Sequence, residues 1–272
     1  MPIDSSNAGR RAVAGMPSTV PRCLTDDARS DWADLRAPTL APALFHPDMT
    51  ANLPEPARRW VLHAIAPGTP MLFAVELASH GRIRLGGWRS FAAVQRTSAT
   101  RGFVWAATAS MFGMPVVGFD RYSRHTGQMR WRAFGAVPVT SAAGPEVTRS
   151  AAGRHAGELL ISLPAAALSP QVKWRAMDAG TVAARIKVDS GFHEVVLSVS
   201  AGGALTSVAM SRWGASGRSG FRERPFGADL GAEASFDGFT IPTEVSAGWE
   251  HATDGSAEGR FIAYTVDSAA YR

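Results

Sequence analysis

Glu146, Ser150, Arg154 and Glu158 recur at every fourth position, so on a helix they form a single row. Such a row sets a guanidinium beside a carboxylate, with a hydroxyl one turn away. If it faces solvent, it is a charged helix surface with one ion pair, worth about 0.3–0.5 kcal/mol. If it faces a cavity, Arg154 and Glu158 would orient the polar head of a bound molecule. The spacing leaves both readings open. Asp120 is a second candidate, because Phe119-Asp120-Arg121-Tyr122 ends a run that is apolar on both faces. A carboxylate there can accept from arginines of the surrounding basic block, as a buried pair or in an open pocket. Arg130, Arg132 and Arg149 complete the set of residues that could hold an anionic head group.

Stereotyped chemistry is missing. The chain has no G-x-S-x-G, no G-x-G-x-x-G, no phosphate loop, no H-E-x-x-H and no calcium loop. Its seven histidines are scattered, and His155 with Glu158 is the one pair at ligand spacing, short of the three or four groups a metal needs. No metal and no cofactor are expected. Cys23 is the lone cysteine, which excludes an internal disulfide and a cysteine-based zinc site.

The elements that must carry these residues are mostly strands. In 72–85, Phe73, Val75, Leu77, Ile83 and Leu85 alternate with Glu76, His80, Arg82 and Arg84, and Gly86-Gly87 turns the chain into Trp88–Val94. In 128–134, Met129, Trp131 and Ala133 face one way, Arg130 and Arg132 the other. Phe226–Phe236 and Phe239–Trp249 make the clearest hairpin, about Asp237-Gly238. Phe103–Ala109 and Val116–Phe119 are apolar on both faces, so helices are expected to cover them. Helices are predicted at about 54–65, started by Pro54 and Pro56 and stopped by Pro67-Gly68, and at about 145–162, started by Pro145. Ala151, Gly153 and Gly157 keep the second one thin enough to approach a sheet closely. Trp88, Trp105, Trp131, Trp174 and Trp249 fall at strand positions, where they either fill a core or line a cavity.

The fold class is therefore mainly β with a few helices (α+β): an antiparallel up-and-down meander of about ten or eleven strands, curled into a barrel or half-barrel. Residues 1–40, rich in Ala, Pro, Ser and Asp, are read as a weakly ordered leader with one helical turn near Asp26–Leu35. Residues 41–272 are read as a single β-rich domain. No apolar run approaches the roughly 18–20 residues of a membrane span. The first residues lack the apolar core of a signal peptide, so a cytoplasmic location is expected.

Charge is uneven. The net formal charge is +5, of which residues 53–143 contribute +8, with 11 basic and 3 acidic residues. That block is neutralised by the acidic C-terminal part, is a solvated arginine face, or attracts an anionic partner. It lacks the interleaved aromatics of a nucleic-acid motif, so no specific nucleic acid is expected.

Five stretches carry a resemblance: LPEPARRWVLHAIAPGTP (53–70), RGFVWAATA (101–109), GFDRYSRHTGQMRWR (118–132), GPEVTRSAAGRHAGE (144–158) and RPFGADL…FDGFTIPTEVSAGW (224–249). They resemble a bacterial family of unknown function well represented in actinobacteria, from about Phe45 to Arg272. The resemblance implies a bacterial origin and one domain, and brings no catalytic or binding residues. In strand layout alone, the chain is similar to half-barrel lipid and lipoprotein carriers. The reading that follows is a non-catalytic binding protein: a curled sheet around a hydrophobic pocket, its mouth lined by arginines, for an amphipathic, anionic, lipid-like molecule. The alternatives are a small-molecule enzyme with Asp120 or Glu158 as acid/base, and an interaction module using the basic face without a cavity.

Overall fold

The alternating segments become fifteen strands in the computed structural model, which describes residues 19–38, 40–111, 113–216 and 220–272. Helix α1 (Asp26–Asp34) and α2 (Glu55–Ala64) come first. Six consecutive hairpin-linked strands follow: β1 (Ala74–Arg84), β2 (Trp88–Ser98), β3 (Gly102–Met111), β4 (Met114–Ser123), β5 (Thr126–Ala133) and β6 (Val137–Ala143). Helix α3 (Pro145–Ser162) then leads to β7 (Val172–Ala176), β8 (Thr181–Val188), β9 (Gly191–Val199), β10 (Leu205–Ala215) and β11 (Phe221–Leu230). The chain ends with β12 (Glu233–Phe236), β13 (Phe239–Pro242), β14 (Glu244–Trp249), the single turn α4 (Ser256–Gly259) and β15 (Arg260–Tyr271).

Thirteen of these strands form one antiparallel sheet in the order β6-β5-β4-β3-β2-β1-β15-β14-β11-β10-β9-β8-β7. The chain starts at the centre of the sheet, walks out to the β6 edge, crosses to the β7 edge through α3, and walks back until β15 pairs with β1. The result is a half-barrel with α3 inside its curve. The meander of ten or eleven strands thus has the expected class but more members. Two of the additional strands are short and lie at the sheet edges: β7, where Val172, Trp174 and Ala176 alternate with Lys173 and Arg175, and β6, where Pro138 and a register shift opposite Trp131 and Arg132 interrupt the pattern.

The long hairpin accounts for the other two. Phe236 pairs with Phe239, Ala234 with Ile241, Leu230 with Val245 and Phe226 with Trp249, a single register throughout. Its outer half, β12–β13, leaves the large sheet at Gly231-Ala232 and Thr243 to form a separate two-stranded sheet. Asp237 (φ 51°) and Gly238 (φ 88°) supply the two left-handed residues that a tight hairpin turn requires. Helix α2 keeps its buried face, Trp60, Val61 and Ala64, against this hairpin and the β7–β9 region.

Both apolar-faced segments are covered as expected. The inward side chains of β3, Phe103, Trp105 and Ala107, join the main core, while outward Val104 and Ala106 with Phe119 of β4 meet α1. Helix α1 therefore belongs to the fold. Of the residues grouped as a weakly ordered leader, 1–18 and Thr39 lie outside the described residues, and α1 buries Trp32 to 1% exposure. Asp31 of α1, also 1% exposed, pairs with buried Arg121 of β4, and Arg96 of β2 donates to the Trp32 carbonyl at 2.7 Å while stacking 4.3 Å from the Trp32 ring. Deleting residues 1–38 would strip this cover, exposing Val104, Ala106 and Phe119, and would remove the carboxylate that pairs with Arg121. The expected result is a melting temperature lower by more than about 5 °C. A smaller shift by calorimetry would show that α1 adds nothing to stability.

Candidate functional site

Helix α3 lies close to β10 because two of its residues lack side chains: a Cβ on Gly157 would sit 3.0 Å from Met210 Sδ, and one on Gly153 3.1 Å from Arg212 Cγ. One side of α3 is packed. Ala152, Ala156, Leu159 and Leu163 are buried there, and the His155 ring stacks between Phe103 and Tyr122 at 6.3 and 6.0 Å. The other side, with Arg154, Gly157, Glu158 and Ile161, faces a cavity of about 400 Å³ enclosed by the curve of the sheet. The last two residues of the four-residue row, Arg154 and Glu158, thus point into a cavity. The start of the row does not: Glu146, near the helix N-terminus, accepts from the Trp213 indole.

The cavity wall is mainly apolar, with Leu77, Val116, Val208, Phe226, Val245 and Phe261 among its residues. Trp105, Trp131 and Trp249 also line it, whereas Trp174 packs at 6.2 Å from Trp60 and Trp88 lies at the surface. Polar groups gather where α3 meets β2, β4 and β10. Arg154 Nε donates to Glu158 Oε1 at 2.7 Å and its Nη1 to Asp120 Oδ2 at 2.9 Å. Gln95 of β2 donates to Glu158 Oε2 at 3.1 Å. The Arg154 guanidinium also lies over the Phe103 and Trp105 rings, at 4.7 and 5.3 Å. The exposure these side chains keep, 16% for Arg154, 26% for Asp120 and 27% for Glu158, is toward the cavity they line.

Arg212 of β10 is the fourth charged group. It donates through Nε to the Ser150 carbonyl at 3.2 Å, contacts Ser150 Oγ at 3.5 Å, and lies over the Phe226 and Trp249 rings at 4.6 and 5.1 Å. Arg154 takes both carboxylates, and Arg212 makes no ion pair among the described residues. Burial, reinforced by the charge of Arg154, lowers the Arg212 guanidinium to about 10, so it still carries its charge at pH 7. Burial alone would lower Arg154, but Glu158 and Asp120 more than offset it and the guanidinium is raised. Asp120 is raised because burial outweighs the pull of Arg154 and of the Trp131 indole. Tyr264, on the same wall, is pushed well above the ordinary phenol range by burial and then by Glu158.

The six sequence candidates therefore divide. Asp120, Arg154 and Glu158 come together on the cavity. Arg130 and Arg132 do not: Met129 and Trp131 occupy the inward positions of β5, and the two arginines border a groove on the outer face with Arg22, Cys23 and Val117. Arg149 lies outside the cavity, paired with Glu223 at 2.7 Å and stacked 3.7 Å from the Trp213 ring. The partner of Asp120 is Arg154 of α3 and not an arginine of the basic block; Arg121 of that block is turned outward to Asp31. Arg212, Gln95 and Tyr264 were missed. Their signal was a polar residue in an inward position: Arg212 follows Val208 and Met210, and Gln95 follows Phe91 and Ala93, at two-residue spacing. Among the described residues no three of His, Cys, Asp and Glu are grouped to hold a metal, and no helix is long and apolar enough to cross a membrane.

Two solved structures are similar to the chain. A domain named for outer membrane lipoprotein sorting, from Vibrio parahaemolyticus, is 8% identical with a TM-score of 0.39, over 74% of this chain and 86% of its own. A LolA superfamily protein from Nitrosomonas europaea is 9% identical with a TM-score of 0.37, over 80% and 92%. Among curated proteins none matches. A family model does match, over residues 43–258, which takes in β1 to β14 and with them every polar residue of the cavity except Tyr264. The chain belongs to the family of unknown function DUF6544.

Proposed function

We infer that this protein is a binding protein for an amphipathic anionic molecule, whose apolar part lies along the inner face of the sheet and whose head group meets Arg212. The observation that carries this reading is the pairing within the polar cluster. Two guanidiniums face two carboxylates, yet both carboxylates hydrogen-bond Arg154, so buried Arg212 feels them only at a distance and has no carboxylate at contact distance among the described residues. Burying a charge without a contact partner is costly, and an anionic head group bound directly to Arg212 offsets that cost. The surrounding walls suit an acyl chain or a comparable hydrocarbon.

Palmitate and its uncharged counterpart, hexadecanol, are suitable probes. Wild-type protein should bind palmitate more tightly, and Arg212→Gln should weaken palmitate on the order of tenfold to a hundredfold, the value of a charge-assisted hydrogen bond, while leaving hexadecanol unchanged. Equal palmitate affinity in variant and wild type, with both folded, would remove Arg212 from the site.

The raised Asp120 carboxyl favours a second reading, a small-molecule enzyme in which Asp120 exchanges a proton beside the Arg154 charge. Native mass spectrometry of freshly purified protein, followed by extraction and re-addition of the bound molecule, separates the two. A binding protein returns the molecule with mass, fragmentation pattern and deuterium content unchanged in D2O; an enzyme that exchanges a proton at Asp120 returns a product of different mass or structure, or one that has taken up deuterium.

A further inference from the structure

Antiparallel neighbours in chain order place the β1–β2, β3–β4 and β5–β6 turns at one end of the sheet. The largest apolar side chains left in the open on this half are there: Trp88 is 36% exposed, Met114 38%, Phe134 61%, Val137 58% and Val139 49%. They lie on adjoining strands, with Ala133 paired to both Val116 and Val137, and Phe134 N donates to the Pro115 carbonyl at 2.9 Å. Phe134 is also held at φ 53°, a region that large side chains rarely enter and that Asn or Gly adopts with less strain. An aromatic ring that is both strained and exposed contributes little to the core, and a surface role is the reading such a position invites.

The strands of this half are strongly basic. Residues 77–143 hold nine arginines and one carboxylate, the inward Asp120. Arg96, Arg121 and Arg124 are matched by Glu76, Asp31 and Asp34, so part of the basic block is neutralised, by β1 and α1. Arg82, Arg84, Arg130 and Arg132, toward the end with the apolar turns, make no ion pair among the described residues. Arg84 donates to the Glu258 carbonyl at 2.8 Å, and Arg82 lies 5.9 Å from the Trp88 ring. The β14–β15 connection, beyond the β1–β2 turn from the apolar cluster, carries Glu250, which pairs with Arg224, and Asp254 and Glu258. The cavity opens here as well, because exposed Arg84, Val139 and Thr140 are part of its lining.

We propose that this end of the half-barrel is a docking surface for an anionic lipid bilayer. The turn side chains enter the interfacial layer, the arginines meet lipid phosphates, and the cavity opens toward the membrane. The inference goes beyond the cavity reading and does not depend on it. A second copy added to edge strand β6 is the competing occupant, and Pro138 with the register shift beside Trp131 opposes strand addition.

The test is sedimentation of the full chain with vesicles of phosphatidylcholine alone or mixed with phosphatidylglycerol. Wild type should bind the mixed vesicles and bind the neutral ones at least about tenfold more weakly. Phe134→Asn, which relaxes the backbone while removing the ring, should lose binding to the mixed vesicles by about tenfold or more with an unchanged melting temperature. Arg82→Gln with Arg132→Gln should cost on the order of 30-fold, since each arginine near the surface contributes about 1 kcal/mol. Palmitate affinity should be the same in all of these variants, which keeps this result separate from the cavity. Equal binding to both vesicle types, unchanged binding by Phe134→Asn, or a concentration-dependent dimer that Phe134→Asn abolishes would each overturn the proposal, the last in favour of a second copy.

Discussion

Ile241→Asp is expected to prevent folding or to cost several kcal/mol, while Glu244→Lys, three residues away, should change stability by no more than about 0.5 kcal/mol. The two residues belong to the same arm of the long hairpin but point in opposite directions. Ile241 is 1% exposed, sits opposite Ala234 and lies in the main core beside Phe239 and Val245, so a carboxylate there loses its water. Glu244 is exposed and makes no side-chain ion pair among the described residues. Side chains alternate along a strand, and a slip of one residue in register would exchange the two environments. Urea denaturation of both variants, followed by circular dichroism, reads the contrast directly. Equal tolerance would mean that the inward and outward assignment fails here, and with it the continuous register from Phe226 to Trp249.

Acid should destabilise the protein between pH 6.5 and 4, through His155. Its ring is 3% exposed, lies between Phe103 and Tyr122, and burial lowers it to about 4, against a smaller upward pull from Glu158. In the unfolded chain the ring titrates near 6.5. Between those values the unfolded state binds a proton that the folded state does not, so stability rises with pH through the window and is lost as pH falls. At pH 4.5 the loss is about 2–3 kcal/mol relative to pH 7. His193, also lowered by burial, acts in the same direction, and Asp120, which is raised, acts in the opposite one. His155→Phe isolates the residue, since a phenyl ring keeps the aromatic stack without a titrating group. The variant should lose most of the difference in urea midpoint between pH 7 and pH 4.5. An unchanged difference would assign the acid sensitivity to other groups.

Much of the local structure was legible because its causes are local. Pro145 at the first turn set the start of α3, and the Asp237-Gly238 turn with its flanking alternation set the register of the long hairpin. The two-sided apolar runs of β3 and β4 implied cover on both faces, and the structure has α3 within and α1 without. What the local pattern did not show is how helix α1, expected as a helical turn near Asp26–Leu35, is held: it is short and mostly polar in sequence, and it is fixed by Trp32 and by the pair Asp31–Arg121, whose partners are 90 residues apart. Edge strand β6 has no clean alternation, and all but one of its residues are exposed.

Fold class, turn positions, helix bounds and the division of each strand into two faces were determined by residue order alone, since side-chain periodicity and turn geometry act within a few residues. Which face encloses a cavity was decided by the tertiary structure. Arg154 reaches Asp120 across 34 positions, Gln95 reaches Glu158 across 63, and Arg212 reaches Ser150 across 62. Those meetings require the sheet to curl around α3 and β15 to pair with β1. Curvature accumulates from the twist of every strand pair, so no short stretch of sequence contains it. That curl turns Arg154 and Glu158 inward, leaves Arg130 and Arg132 on the outside, and places Arg212 against Ser150 in the cavity wall without a carboxylate partner.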